Sequence, residues 1–100
     1  MSIMTSIVAY GSNQSDSFVL SCVYNQVVSA PLYSGVVLSN SSSAAQEVYI
    51  RNNSLNNLNV YPPYSNDIDG GYTDDPVILL PDEIKLFFCV DGISWKSLAF

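Results

Sequence analysis

Two apolar runs, residues 84–90 and 93–98, meet at Asp91-Gly92. This punctuation constrains the fold more than any other feature of the chain. Asp-Gly between apolar runs is the strongest short-range hairpin signal, because a type I′ turn requires positive φ at both central residues. A two-residue turn there sets Val90 against Ile93, Phe88 against Trp95 and Leu86 against Ser97. Strand side chains alternate between faces. One face then carries Ile84, Leu86, Phe88, Val90, Ile93 and Trp95 as a core face, and the other carries Lys85, Phe87, Cys89, Ser94, Lys96 and Leu98. That second face is half apolar, so the hairpin is expected to bury surface twice: once inside the fold and once against something else.

The rest of the chain repeats this pattern. Short apolar runs alternate with Gly, Pro, Asn, Asp and Ser clusters, and no segment has helical periodicity. Strands are expected at residues 6–10, 17–28, 35–38, 46–51, 58–61, 77–80, 84–90 and 93–98. Eight short strands in one hundred residues predict a single all-β domain over 1–100, a sandwich or small barrel. Val48 and Ile50 share one face of their strand, and Leu58 and Val60 share one face of theirs, which makes all four core candidates. The Asn52–57 stretch between them reads as a connection, where Asn can take the left-handed conformation. Pro62-Pro63 stops the following strand, since proline donates nothing to a ladder. Residues 39–45 read as a surface loop, and residues 1–6 as an arm that is mobile or ordered only on contact.

Composition narrows the function. Only 12% of residues are charged, against about 25% in typical domains. Three Lys and Arg in a chain of net charge −6 are too few to displace counterions from nucleic acid or to hold an anionic membrane. No apolar run reaches the roughly 20 residues a membrane helix needs, and no secretory signal is read at the N-terminus, so synthesis in the cytoplasm is expected. The absence of histidine removes the usual base of Ser and Cys catalysis and the usual zinc ligand. No phosphate loop occurs. The chain is expected to be no enzyme and to carry no cofactor and no metal.

Cys22 and Cys89 lie in apolar runs and read as buried thiols, with a bridge between them left open. Asp67, Asp69, Asp74 and Asp75 form an acidic segment. In the helix-loop-helix calcium template, Asp67 at position 1 puts Ile78 where glutamate is required, and Gly70 as the invariant glycine puts Pro76 there. Seven tyrosines exceed what one small core needs, and Tyr suits surfaces that are apolar at one end and wet at the other. Tyr49, Tyr61, Tyr64 and Tyr72, with Phe87, Leu98 and Phe100, are the expected subunit interface; sugar stacking is the competing use.

The ordered segments Gln46-Glu47-Val48-Tyr49-Ile50-Arg51-Asn52-Asn53, Leu58-Asn59-Val60-Tyr61-Pro62-Pro63, Ile68 and Phe87-Phe88-Cys89-Val90-Asp91-Gly92-Ile93-Ser94-Trp95 resemble a small β module of tailed-bacteriophage virion proteins. That module occurs in capsid decoration (cement) proteins and in head or tail fibres. The resemblance covers roughly the second half of the chain. It implies an antiparallel β-sandwich of jelly-roll type, often trimeric, without enzymatic activity. The resemblance does not give the position in the virion; the length of a single module favours a decoration protein over a fibre, so the expected partners are further copies of the chain, as a trimer, and a major capsid protein on the head surface. A fibre or glycan-binding tip module, or a tail or neck adaptor, is the alternative. The acidic segment departs from the small, apolar and glycine-rich residues usual at that place in the module.

Overall fold

The computed structural model describes residues 2–39, 47–89 and 91–99. The fold is all-β and consists of two sheets. Ten strands succeed one another among the described residues: β1 Ile3–Val8, β2 Phe18–Val19, β3 Tyr24–Ser29, β4 Gly35–Val37, β5 Glu47–Asn52, β6 Leu58–Tyr61, β7 Asp67–Ile68, β8 Val77–Leu79, β9 Ile84–Cys89 and β10 Ser94–Ala99. The larger sheet has the order β1-β3-β5-β9-β10-β7 and the smaller β2-β4-β6-β8.

The first six strands alternate between the sheets, and strands of successive turns pair in parallel: β1 with β3, β3 with β5, β2 with β4, β4 with β6. The chain therefore winds as a short solenoid-like coil. A parallel pair needs a crossover, and here each crossover is a strand of the opposite sheet. The second half then turns back. β8 pairs antiparallel with β6, β9 with β5 and β10 with β9, while β7 closes the far edge beside β10. Five of the eight strand pairings among the described residues are parallel. The antiparallel jelly-roll order expected from the sequence does not describe this pairing. Side-chain alternation fixes which face a residue occupies, but it does not fix strand direction.

Two further expectations change. Residues 17–28 are not one strand: β2 ends in the smaller sheet, and the chain bends through Ser21–Val23 before β3 enters the larger one. The expected N-terminal arm is instead largely β1, with Ile3 set against Tyr24 and Met4 against Asn25.

The core lies between the sheets. Ile7, Val27, Val48, Ile50, Phe87, Cys89 and Trp95 face inward from the larger sheet, and Val36, Leu58, Val60 and Leu79 from the smaller. The final hairpin sits one residue away from the expected register. The pairs are Cys89–Trp95, Phe88–Lys96, Phe87–Ser97 and Leu86–Leu98. A one-residue slip moves a strand's side chains to the opposite face. Phe87 and Cys89 are therefore buried with Trp95, while Ile84, Leu86 and Phe88 are half-buried on the outer face and Ile93 is exposed. The cause is the turn. Asp91 Oδ1 accepts from the N–H groups of both Ile93 (2.9 Å) and Ser94 (2.7 Å), which widens the loop beyond two residues. Gly92 supplies the positive φ of 87° within it. Val90, expected in the core, and Phe100, expected at an interface, lie outside the described residues.

This register yields a prediction. Phe87→Ala and Trp95→Ala should each cost about 3–5 kcal/mol, and Phe88→Ala less than about 2 kcal/mol, since only the first two empty a closed core site. Urea unfolding of the three variants checks the order; a larger loss at Phe88 would restore the two-residue turn.

Candidate binding cleft

The outer face of the smaller sheet has two halves. Over one half lies the segment from Tyr10 to Ser17. It is anchored by Gly35 N–H donating to Tyr10 O (3.3 Å) and by Gln14 Nε2 donating to Pro62 O (2.8 Å), and it is braced internally by Ser17 Oγ donating to Asn13 O (2.7 Å). Tyr61 is buried beneath it, with its hydroxyl 3.5 Å from Ser12 O. Gly35 permits this packing, because a Cβ there would stand 2.8 Å from both Asn59 O and Tyr61 Cε2. Burial raises the Tyr61 pKa above its ordinary value.

The other half is open. Leu32, Tyr33, Leu55, Asn56, Asn57, Asn59 and Ile78 line a shallow cleft of about 410 Å³. Its apolar side chains stand in solvent: Leu55 is 96% exposed, Tyr33 77%, Leu32 70% and Ile78 53%. These positions are held, not frayed. Asn52 is fully buried; its Nδ2 donates to Asn56 O and Leu79 O (both 2.9 Å), and its Oδ1 accepts from Ser54 N–H (3.2 Å) and Ser54 Oγ (2.6 Å). Asn56 Nδ2 donates to Ala30 O at 2.8 Å. A buried amide satisfied on both ends rigidifies its surroundings, so the loop is built to hold Leu55 outward. The asparagines act through side-chain hydrogen bonds; no Asn among the described residues uses the left-handed conformation open to it.

Tyr33 has φ 65° at the third position of a turn closed by Ser34 N–H donating to Pro31 O (3.0 Å). Ser65, Asp74 and Asp82 occupy the same position of comparable turns, and Asp tolerates that conformation. A bulky aromatic there is a genuine outlier, and such outliers cluster at ligand-contacting sites.

The side chains expected at an interface are spread over the molecule. Phe87 and Tyr61 are buried and cannot serve there; the one-residue hairpin slip and the covering segment are the reasons. Tyr64 and Tyr72 are exposed at the Pro63–Asp75 end, away from the cleft. Tyr49 and Leu98 belong to a row that crosses the outer face of the larger sheet at one register: Ile3, Tyr24, Tyr49, Leu86, Leu98. Val48, Ile50, Leu58, Val60 and Trp95 lie in the core. The cleft residues carried one signal in the sequence, a lone leucine at 55 within an otherwise polar connection.

The aspartates serve the backbone. Asp69 accepts from Ser97 N–H (2.8 Å) and Ser97 Oγ (2.5 Å), and Asp74 from Ser65 N–H (2.6 Å) and Gln14 Nε2 (3.0 Å). Asp16 Oδ1 accepts from Ser12 and Asn13 N–H groups, both at 2.9 Å. Among the described residues no three His, Cys, Asp or Glu side chains gather as a metal-holding group. Cys22 and Cys89 are free thiols, and Cys89 Sγ accepts from Gly92 N–H at 3.1 Å. No family model matches this chain, and no curated protein or solved structure matches it.

Two predictions follow from these bonds and from the Tyr33 turn. The N–H groups of Ser94 and Ile93 hold the Asp91 carboxyl below its ordinary value of 3.8. A carboxyl depressed in the folded state contributes stability above its unfolded value, and that contribution is lost as pH falls through the folded value. The advantage of the parent chain over Asp91→Asn in urea should be present near neutrality and vanish in strong acid. Tyr33→Gly should leave stability unchanged or raise it by up to about 1 kcal/mol, because it releases backbone strain at an exposed site; a loss of more than about 1 kcal/mol in thermal unfolding would assign the side chain a packing role.

Proposed function

We propose that the chain is a non-enzymatic structural module of a tailed-bacteriophage virion. It acts as a capsid decoration (cement) protein on the head surface and assembles in the host cytoplasm. The observation that carries this reading is the cleft: four large apolar side chains exposed to solvent, Leu55 among them on a loop fixed by a satisfied hydrogen-bond network, on a chain with 12% charged residues. Exposed apolar groups rimmed by polar ones mark interaction sites. The resemblance of the second half to virion modules supplies the setting, and it reaches the two-sheet all-β build but not the strand order. Its function would be to clamp. Each copy seats Leu55 and Tyr33 against the major capsid protein and contacts further copies, and many weak contacts add by multivalency.

A second reading has its own observation. Tyr33 beside Asn57 and Asn59 combines a ring with amides in one concave site, a combination suited to a sugar at a receptor-binding tip.

The test uses shells lacking the chain. Purified protein should bind them saturably, at hundreds of copies per particle. Leu55→Asp, which alters no core contact, should weaken binding by roughly tenfold or more, the scale of one anchor residue. Absence of shell binding, with glycan-array hits abolished by Tyr33→Ala, would replace the cement reading by the tip reading.

A further inference from the structure

Among the described strands each sheet has two edges, and three of the four are blunted. β2 and β7 are two residues long, and β8 is three residues flanked by Pro76 and Pro81. Short edges, charges and prolines are how sheets avoid pairing with other chains. β1 is the exception. It is six residues long, Ile3-Met4-Thr5-Ser6-Ile7-Val8, and the chain carries no charged side chain before Asp16. One side of β1 is paired with β3, and no described strand pairs with the other. Among the described residues, no strand takes the backbone N–H and C=O groups on that side, which form a template for pairing.

The strand is also symmetric in what it presents. Ile3 and Val8 face outward at 58% and 52% exposure, Met4 and Ile7 face the core, and between them Thr5 and Ser6 are both exposed; the pairing with β3 has two irregular steps, one between Met4 and Ile7 and one between Ile7 and Val8. Read in either direction the order is the same: out, in, out, out, in, out. We infer that β1 pairs antiparallel with β1 of a second copy about a two-fold axis, setting Ile3 against Val8, Met4 against Ile7 and Thr5 against Ser6 of the partner. Each pair joins positions on the same face, and the Thr5-Ser6 step of one copy meets that of the other, so the alternation of faces stays in phase. A shift by one residue would set outward Ile3 against inward Ile7, the mismatch that fixes register where one face is buried. The two larger sheets become one twelve-stranded sheet, and the cores meet through Met4 and Ile7. A two-fold contact is self-complementary, which is why an uncharged strand suits it. It produces dimers, not the trimer that the family resemblance implies.

The inference rests on the self-associating reading above, but its readout is solution mass, whereas the cement reading is tested on particles; either can fail while the other stands. Light scattering and native mass spectrometry of the purified chain should give a dimer. Thr5→Lys and Ser6→Glu lie at exposed positions and should keep the urea midpoint of the parent. Each places like charges on both sides of the axis, and each should raise the dimer dissociation constant at least tenfold. Mixing the two variants should restore a heterodimer, because position 5 of one copy faces position 6 of the other. A monomer at the highest soluble concentration, a trimer, a dimer indifferent to both substitutions, or a mixture that fails to pair would overturn the proposal.

Discussion

The inward packing of Phe87, Cys89 and Trp95 against the residues of the smaller sheet holds this molecule together. The first six strands form an open coil whose turns pair only with their neighbours. Such a coil buries a core but has two unsealed ends. At one end the antiparallel strands β8 and β9 lie against β6 and β5, and β10 and β7 extend the larger sheet. Full burial of a large apolar side chain contributes on the order of 1.5–3 kcal/mol, so the three inward residues of β9 and β10 do much to fix that seal. At the other end nothing comparable lies beside β1 among the described residues. The asymmetry between a sealed and an unsealed end is where folding passes into assembly.

The polar residues divide the work in a similar way. Asp16 and Asp91 build turns, each carboxylate accepting from two nearby backbone N–H groups, while Asp69 and Asp74 accept from the N–H groups of Ser97 and Ser65 and tie separate segments together. Asn52 and Asn56 perform the same service for the loop that carries Leu55. Much of the acidic character of the chain is thus committed to loop geometry, and the surfaces left for contact are apolar or amide-rich. The strained Tyr33 turn lies where that commitment meets solvent, and its ring is spent on the cleft instead of the core.

The sequence made the all-strand character legible, because period-two alternation and turn residues are local. Val48, Ile50, Leu58 and Val60 could be assigned to inward faces for the same reason. Direction and register were harder. Parallel pairing of β1, β3 and β5 leaves no local mark, since unequal loops hide the repeat. The Asp91-Gly92 turn misled by one residue because the Asp91 carboxylate takes two N–H groups and widens the loop, and that single step exchanged Phe87 for Phe88 in the core. Apart from the lone Leu55, the cleft left no mark in the sequence, because Leu32, Tyr33, Leu55 and Ile78 come from three separated segments and meet only after β4, β6 and β8 are aligned.

Thiol reactivity tests this arrangement most directly. Cys22 is partly exposed, and Cys89 is enclosed beside Trp95. Under native conditions, alkylation followed by mass analysis of the fragments should modify Cys22 and spare Cys89 until the chain unfolds. Equal native labelling of both thiols would put Cys89 on the outer face and contradict the register on which the core depends.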